Sequence, residues 1–457
     1  MKKLLFSLLV VISSLIFTLC SAQYTILHSF DTTGIAGYPH GSLTLSGNVL
    51  YGMTSGGGGP PGNIFSIHAD GSNYKDVFDF NGIDGVFPYG SLTLSGNKLY
   101  GMTPYGGGRN DGCIFSIDTS GNNYKKLLVF NDTNGANPYG SLTLYKNKLY
   151  GMTSVGGKND SGCIFSIDTA GSNYKDLFDF KRTTGYEPYG NLLLLGNKLH
   201  GMTRLGGLDS NGVIFSIDTD GNGYKDIFDF NGANGAIPWG SLTLSANKLY
   251  GMTSGGGANK YGCVFSIDTN GTGYRDLLNA TDTTFAYPYG DLTISGSIMY
   301  GMSQIGIFSI DTNGRNYIPM TYFNSTNGTY PFGDLTISGK ALYGMTLNGG
   351  KYILPGVIFK IDSGTVAGIN SITATSGSIN VYPNPSNGVF TVKSSVVSGQ
   401  SSVEVYNVLG EKVYSQLLIP NSSFLINLSN QPNGVYLYRV IATSGELVGE
   451  GKMVIQK

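Results

Sequence analysis

The residues that could perform acid, base or nucleophilic chemistry are few in this chain, and most of them recur at a fixed spacing. Between residues 24 and 362 there is one glutamate, Glu187, whereas hydrolysis of a glycosidic bond generally requires two carboxyl groups facing that bond. An aspartate recurs after an Ile-Phe-Ser-Ile type segment, where an Asx turn explains it without catalysis. These aspartates are Asp118, Asp168, Asp218, Asp268, Asp311 and Asp362. The sequence therefore predicts no catalytic residues.

Metal-binding patterns are also missing. The four histidines lie far apart and show no HExxH or similar spacing; they are His28, His40, His68 and His200. The segment from Asp218 to Asn222 resembles a calcium loop, but no bidentate glutamate follows it, which favours a turn. We expect no metal and no other cofactor.

Three cysteines, Cys113, Cys163 and Cys263, occupy the same place in three copies of a repeated unit. A disulfide requires Cα atoms within about 7 Å, and equivalent positions in different units should lie farther apart. The sequence therefore predicts three free, buried thiols.

The residue between a recurring proline and a recurring glycine is aromatic in six units and histidine in one. If the units form a closed ring, these side chains would circle its channel mouth, where aromatic faces could stack on sugar rings or flat ligands. Alternatively, each ring packs against the next unit and serves the core alone. Our candidate ligand-binding residues are His40, Tyr89, Tyr139, Tyr189, Trp239, Tyr289 and Phe332.

The elements that position these residues follow from the repeat. Three markers, the proline, a Gly-Met pair and the Ile-Phe-Ser-Ile type segment, each occur seven times, with the prolines 49, 50, 50, 50, 50 and 43 residues apart. The third unit predicts strands at Ser141–Leu144, Lys148–Thr153, Cys163–Asp168 and Tyr174–Phe180, bounded by turn residues. Four strands in about 50 residues are typical of a propeller blade. An open solenoid would require atypical capping units, and none is evident.

The two ends of the repeat region complement each other. Tyr24–Phe30 resembles the fourth strand of a unit, and the last unit stops after its third strand at Ile358–Asp362. The N-terminal strand could therefore complete the final blade and close the ring. If blades instead begin with this tyrosine-containing strand, no such closure is needed, and the sequence leaves both arrangements open.

Several segments carry a family resemblance. Gly-Ser-Leu-Thr-Leu, Leu-Tyr-Gly-Met-Thr and Ile-Phe-Ser-Ile-Asp-Thr resemble the GloVer-type tandem repeat over residues 24–362. The resemblance implies a bacterial surface protein and no established activity.

The C-terminal 78 residues carry a second set of ordered motifs. They begin with Val-Tyr-Pro-Asn-Pro, and the motif residues are Tyr382, Pro383, Asn384, Pro385, Gly388, Asn407, Gly410, Gly434, Tyr436, Gly451 and Lys452. This segment resembles the type A sorting domain of type IX secretion. The resemblance implies a small Ig-like sandwich that directs export across the outer membrane, followed by its removal and by release or surface attachment of the protein. The alternative is an accessory Ig-like binding domain.

An export signal is predicted at the N-terminus. Lys2 and Lys3 precede the apolar run Leu4–Leu19 and the small residues Ser21 and Ala22, which indicates cleavage before Gln23. The run is shorter than the ~20 residues that span a bilayer.

These observations predict an all-β protein, a seven-bladed β-propeller followed by a small Ig-like β-sandwich. The expected divisions are a signal peptide (1–22), the propeller (23–362), a linker (363–379) and the sorting domain (380–457). A formal charge of −1, from 28 basic and 29 acidic side chains, excludes a nucleic-acid reader driven by counterion release. We expect an exported, monomeric, non-enzymatic module that binds a glycan, a peptide or a surface partner, or serves as a scaffold, and that engages the type IX machinery. The alternative is a propeller-based polysaccharide lyase or hydrolase.

Overall fold

The computed structural model describes residues 23–31, 37–56, 61–362, 379–394, 401–407, 412–418, 423–442 and 447–457. The expected signal peptide and residues 363–378 of the expected linker lie outside these ranges. The described residues form strands and turns, and none of them forms a helix long and apolar enough to cross a membrane. The chain divides into two compact units, Met1–Val366 and Ala367–Lys457.

The first unit begins with a single strand, β1 (Gln23–Ser29), and continues with repeated antiparallel sheets, which we call blades in chain order. Blade 1 contains β2 (Thr44–Ser46), β3 (Val49–Thr54), β4 (Asn63–His68) and β5 (Lys75–Asp79). Blade 2 contains β6 (Thr93–Ser95), β7 (Lys98–Thr103), β8 (Cys113–Asp118) and β9 (Lys125–Val129). Blade 3 contains β10 (Thr143–Tyr145), β11 (Lys148–Met152), β12 (Cys163–Asp168) and β13 (Lys175–Asp179).

The following blades repeat this plan. Blade 4 contains β14 (Leu193–Leu195), β15 (Lys198–Thr203), β16 (Val213–Asp218) and β17 (Lys225–Asp229). Blade 5 contains β18 (Thr243–Ser245), β19 (Lys248–Thr253), β20 (Cys263–Asp268) and β21 (Arg275–Asn279). Blade 6 contains β22 (Thr293–Ser295), β23 (Ile298–Met302), β24 (Gly306–Asp311) and β25 (Ile318–Tyr322).

Blade 7 resolves the question of how the repeat ends. Its strands β26 (Thr336–Ser338), β27 (Ala341–Thr346) and β28 (Val357–Asp362) are completed by β1, which pairs antiparallel with β28. The N-terminal strand is therefore the fourth strand of the last blade. The described residues of the repeat region thus form seven four-stranded sheets, and the expected all-β, propeller-like fold class is confirmed.

A glycine in the second strand explains part of the repeated sequence. In blade 3, Gly151 lies opposite Phe165, and a Cβ at Gly151 would stand 2.6 Å from the end of that phenyl ring. The same contact recurs in the other blades, because the glycine of each Gly-Met pair lies opposite the phenylalanine of the third strand. The glycine therefore makes room for a fully buried phenylalanine.

The hydrophobic core lies between neighbouring blades, so each sheet is apolar on both faces. Between blades 2 and 3, for example, Met102 and Ile114 pack in one cluster with Leu149 and Phe165. Burying such side chains contributes roughly 1.5–3 kcal/mol each. This arrangement explains why the strands read as nearly continuous apolar runs.

The innermost strands meet around a closed circle. A Cβ at Gly41 would stand 2.3 Å from the carbonyl oxygen of Gly90, and each following glycine approaches the next until Gly333 approaches Gly41 at 2.5 Å. Threonine hydroxyls link the same strands, as in the 2.6 Å bond from Thr336 Oγ1 to the Leu43 carbonyl. Backbones this close leave no room for a side chain, which is why the glycine recurs.

The second unit is a two-sheet sandwich. One sheet contains β29 (Ile379–Tyr382), β30 (Val389–Ser394) and β33 (Ser423–Asn427). The other contains β31 (Ser401–Tyr406), β32 (Lys412–Leu418), β34 (Gly434–Ala442) and β35 (Leu447–Ile455). Phe390 and Ile426 from the first sheet share one buried cluster with Val403, Val440 and Met453 from the second.

Candidate functional site

The seven residues proposed from the sequence converge on one cavity. They come one from each blade, just before the innermost strand, and together they line a cavity of about 330 Å³. All seven are half-buried. We call this set the cup; its members are His40, Tyr89, Tyr139, Tyr189, Trp239, Tyr289 and Phe332.

The rings of the cup also contact one another in a closed circuit. Tyr139 and Tyr189 stack with centroids 4.6 Å apart, and Trp239 meets Tyr289 edge to face at 5.6 Å. His40 closes the circuit between Phe332 at 4.9 Å and Tyr89 at 4.1 Å. Such pairs contribute about 0.5–1.5 kcal/mol each beyond area burial. The rings therefore pack against their neighbours and, at the same time, line an open cavity.

Histidine in the cup behaves as a neutral aromatic ring. Burial lowers the pKa of His40 to about 3, so this imidazole carries no charge at neutral pH. Burial, followed by the hydrogen bond with Tyr105, raises the pKa of Tyr139. The two hydroxyls lie 2.7 Å apart. The cup wall is therefore uncharged.

In three blades, a polar side chain that follows the second strand contacts the cup from its rim. Gln304 donates from Nε2 to the Tyr289 hydroxyl at 3.2 Å, and Tyr105 bonds Tyr139 from an equivalent loop. Isolated bridges such as Ala136 with Val155 join these loops to the segment before the cup residue. The loops after the second strands and the cup residues thus lie at the same end of the ring.

One sector of the rim carries an ion pair. Arg204 donates from Nη1 to Oε2 of Glu187, and its guanidinium lies 4.9 Å from the Trp239 ring centroid and 5.9 Å from that of Tyr189. Glu187 and Arg204 are 17 positions apart, and only the paired loops bring them together over the cup.

Beneath the cup, a narrower space of about 70 Å³ is lined by the circle of glycines and by one polar residue from each blade. The polar residues are Ser42, Ser91, Ser141, Asn191, Ser241, Asp291 and Asp334. Burial raises the pKa of Asp291, and burial together with the nearby Asp291 raises the pKa of Asp334 well above its ordinary value. Asp334 accepts a hydrogen bond from the Ser42 hydroxyl. The sequence analysis missed this layer, although two aspartates where other blades have Ser or Asn were a signal.

The cysteines are buried and free, as predicted. Burial raises the pKa of Cys163 and of Cys263 to about 12, so neither thiol is a ready nucleophile. Among the described residues, no group of three His, Cys, Asp or Glu side chains is placed to hold a metal ion.

The sorting-motif residues mostly fix the fold of the second unit. The Asn384 side chain donates to the Lys452 carbonyl and accepts from the Val454 amide, both at 2.8 Å, which ties the first motif to the last strand. The Tyr436 hydroxyl donates to the Pro432 carbonyl at 2.9 Å, as in the tyrosine corner of Ig-like sandwiches.

Two motif glycines lie where side chains would collide. A Cβ at Gly388 would stand 2.7 Å from the Ser429 Cα, and one at Gly451 would meet the Tyr438 hydroxyl at 2.7 Å. Tyr382 and Lys452 are exposed. Gly410 lies outside the described residues.

Comparison with known families settles which repeat this is. The model of the Gloeobacter/Verrucomicrobia repeat matches residues 10–208 and 145–306, which together make up more than half of the chain. The chain belongs to the Gloeobacter/Verrucomicrobia repeat family. The secretion system C-terminal sorting domain matches residues 380–456 of this repeat protein, so both resemblances are confirmed. The protein is therefore secreted or lies on the outer cell surface.

Three solved structures are similar to this repeat protein at low identity, two of them with TM-scores of at least 0.50. An oligogalacturonate lyase in complex with manganese is 13% identical with a TM-score of 0.51, over 75% of this chain and 93% of the lyase. The extracellular domain of BT4673 from B. thetaiotaomicron is 12% identical with a TM-score of 0.50, over 95% of this chain and 59% of that one. PorZ, a surface component of the type IX secretion system of Porphyromonas gingivalis, is 15% identical with a TM-score of 0.46, over 94% of this chain and 61% of PorZ. No curated protein matches the chain.

Proposed function

We propose that this exported repeat protein is a non-enzymatic binding module whose ligand enters the cup. The observation that carries the proposal is the convergence of seven ring side chains on one cavity of about 330 Å³. Small-molecule sites are typically concave, lined by aromatic side chains and about 300–1,000 Å³ in volume. A cup of this size takes one or two sugar rings, a flat ligand or an aromatic side chain.

The polar rim complements the apolar wall. Gln304, Tyr105 and Arg204 each contact a cup residue from a different loop. A few polar groups around an apolar cavity are what orients a ligand in most binding sites.

The carboxyl groups near the cup support binding rather than turnover. Glu187 is paired with Arg204, and Asp291 and Asp334 face a space of about 70 Å³. Such a space holds water molecules but not a sugar ring. Two carboxyl groups that flank a glycosidic bond, as hydrolysis generally requires, are therefore not offered to a ligand in the cup.

Trp239 makes the proposal testable, because it is the sole tryptophan of the chain and lines the cup. Adding a ligand to the mature protein should shift its fluorescence, and calorimetry should show loss of binding in a Tyr189→Ala, Trp239→Ala double variant that stays folded. Tyr322→Ala is the matched control, since that tyrosine is 57% exposed on the outer strand β25. Unchanged binding by the double variant would place the site elsewhere. Release of product from a bound glycan would contradict the non-enzymatic part.

The sorting domain gives the proposal its location. Removing residues 379–457 should retain the repeat region in the periplasm, and fusing them to an unrelated exported reporter should carry it across the outer membrane. A Gly388→Val variant should fail like the deletion, because its side chain would collide with the Ser429 backbone. Normal surface delivery of the truncated protein would refute this assignment.

A further inference from the structure

A second tier of side chains surrounds the cup. The residue immediately before the recurring proline has a positive φ, between 50° and 57°, in all seven blades. Three of these side chains are well exposed, with Phe87 at 40%, Tyr287 at 39% and Tyr330 at 46%. We call this tier the crown; it consists of Tyr38, Phe87, Asn137, Glu187, Ile237, Tyr287 and Tyr330.

Hydrogen bonds on both sides impose the backbone conformation of the crown. In blade 5, Ile237 donates its N–H to the Asn211 carbonyl of blade 4 at 3.0 Å and accepts from the Ser254 N–H of its own blade at 3.1 Å. Equivalent bonds hold Asn137, between the Asp111 carbonyl and the Ser154 N–H. The backbone N–H of the crown residue bonds a carbonyl of the preceding blade at five positions, which are Tyr38, Phe87, Asn137, Ile237 and Tyr287.

Stability alone does not account for the crown side chains. A left-handed backbone costs an L-residue roughly 1–2 kcal/mol, and glycine or asparagine tolerates it best. The chain has 69 glycines, yet glycine occupies none of the seven positions, and asparagine occupies one. Strained residues that persist in this way cluster at functional sites.

The crown contains an aromatic arc and a polar arc, with the aliphatic Ile237 of blade 5 between them on one side. Following the ring from blade 6 to blade 2, four consecutive positions are aromatic: Tyr287, Tyr330, Tyr38 and Phe87. Blades 3 and 4 then present Asn137 and Glu187. A ligand that spans the cup therefore meets ring faces and edges on one side and hydrogen-bonding groups on the other.

Charge at the polar arc selects among ligand classes. The charges of Glu187 and Arg204 cancel, and the Arg204 guanidinium lies 4.9 Å from the Trp239 ring centroid. A ligand carboxylate would meet Glu187 and a ligand ammonium would meet Arg204, whereas hydroxyl groups can bond to both. Charge-assisted hydrogen bonds of this kind are about twice as strong as neutral ones.

We propose that the crown selects a neutral glycan chain, with sugar rings against the aromatic arc and hydroxyl groups at the Glu187–Arg204 pair. This inference rests on the proposed function of the cup. Because the ligand is uncharged, its affinity should be nearly independent of salt, whereas the affinity of a charged ligand would fall as screening increases.

The test is to titrate the mature full-length protein with cellohexaose, maltohexaose, xylohexaose and mannohexaose, with hexagalacturonate as the anionic and chitosan hexamer as the cationic counterpart. At least one neutral chain should bind more tightly than both charged chains, with the same Kd at 50 and 500 mM NaCl. Phe87→Ala and Tyr330→Ala should each weaken binding about fivefold, in keeping with the energy of one aromatic contact. Tyr322→Ala should leave binding unchanged.

Glu187→Gln provides a readout that a structural role would not move. This variant leaves the charge of Arg204 uncompensated, so its affinity for hexagalacturonate should increase relative to its affinity for the neutral chain. The crown inference would be overturned if the unmodified protein preferred a charged chain, or if the crown variants bound as tightly as the unmodified protein. In either case, a fluorescence response of Trp239 would still support the cup as the binding site. Absence of any Trp239 response to any of the probes would instead refute the proposed function, and this inference with it.

Discussion

The interior of the blades and the crown obey opposite rules. Inside the sheets, the same residues recur almost unchanged, and a fully buried phenylalanine occupies the third strand of every blade. At the crown, one backbone conformation recurs while the side chain changes between Tyr, Phe, Asn, Glu and Ile. Repetition therefore identifies what the fold requires, and departure from repetition identifies what the fold alone does not explain.

Because the blades are near copies, each departure has a control in another blade of the same molecule. A substitution can transplant a residue from one blade to the equivalent position of another, where it is already known to fit. One interaction has no such control, because it joins the two ends of the repeat region.

The pairing of β1 with β28 is that interaction. Deleting Gln23–Ser29 from the mature protein should expose the edge of β28 and uncover Phe359, on which Tyr24 stacks at 5.0 Å. We expect a loss comparable to the stability of a whole domain, roughly 5–15 kcal/mol, seen as a large fall in Tm or as association in size-exclusion chromatography. A Gln23→Ala, Thr25→Ala variant, altered only at exposed positions, should behave normally. An unchanged Tm of the deletion variant would show that the ring is held elsewhere.

The histidine of the cup provides the second prediction. His40 stays neutral down to about pH 3 in the folded protein, while an unfolded histidine takes up a proton below about 6.5. The unfolded state therefore binds more protons in this window, and stability falls as the pH falls. Between pH 7 and 5 the loss should be roughly 2 kcal/mol.

His40→Phe should remove this contribution, since Phe332 fills the equivalent place in blade 7, and should leave the contributions of His28 and His200, whose pKa values burial also lowers. Chemical denaturation of both proteins at pH 7 and pH 5 measures the difference. Identical pH dependence of the two proteins would mean that His40 is not buried in the cup as described.

A buried carboxyl group provides the third prediction. Asp226 Oδ1 has no hydrogen-bond partner among the described residues, and burial, with Asp229 nearby, raises the pKa of Asp226 to about 6. In blade 1, Asn63 donates from Nδ2 to the equivalent Asp76 at 2.6 Å, whereas blade 4 has Val213 there. Val213→Asn should therefore stabilise the protein at pH 7 by about 1 kcal/mol.

The contribution of Asp226 to the free energy of unfolding depends on pH. The folded state favours protonated Asp226, so its contribution is greatest below about pH 4 and is lost as the pH rises towards 6. Val213→Asn should reduce this loss of stability, as measured by denaturation curves at pH 4.5 and 7. The control is Cys163→Val, which places the valine of blade 4 at the equivalent position of blade 3 and should not reduce the loss. If the Val213→Asn variant and the unmodified protein have the same free energy of unfolding at pH 4.5 and at pH 7, Asp226 does not lack a hydrogen-bond partner.

The smallest effect concerns the crown. Tyr330→Gly should be more stable than Tyr330→Ala by about 1 kcal/mol, because both remove the side chain but only glycine relieves the positive φ of 56°. The Gly and Ala variants at the exposed residue Thr25, where β1 is extended, should show the opposite order. Differential scanning calorimetry measures both pairs. If the glycine variant is the more stable of the pair at both Tyr330 and Thr25, or the alanine variant is at both, the backbone of the crown is not strained.

The sequence predicted much of the fold because its markers are local. The period, the four strands of a unit and the cup residues could all be located from proline, glycine and aromatic spacing. The choice between an N-terminal closing strand and no closing strand depended on pairing between the chain ends, which no local pattern reports. The conformation before the proline could not be predicted, because the residue before a proline normally adopts an extended backbone.

The ion pair on the rim of the cup could not be predicted from the sequence for a related reason. Glu187 is the single glutamate between residues 24 and 362, but its contact with Arg204 depends on how two loops meet across a blade. The same holds for Asp291 and Asp334, which are 43 residues apart in sequence and become neighbours only when adjacent blades close around the channel.

Completion of blade 7 by β1 has a consequence for how the chain folds. The Tyr24 hydroxyl bonds a carbonyl 303 residues away, at Asn327, so the first strand made is the last to find its partner. Contacts of such long range slow folding and leave unpaired edges exposed meanwhile. We expect ring closure to be the final and slowest step, possible only after all seven units have emerged, and mechanical or thermal opening to start at this seam.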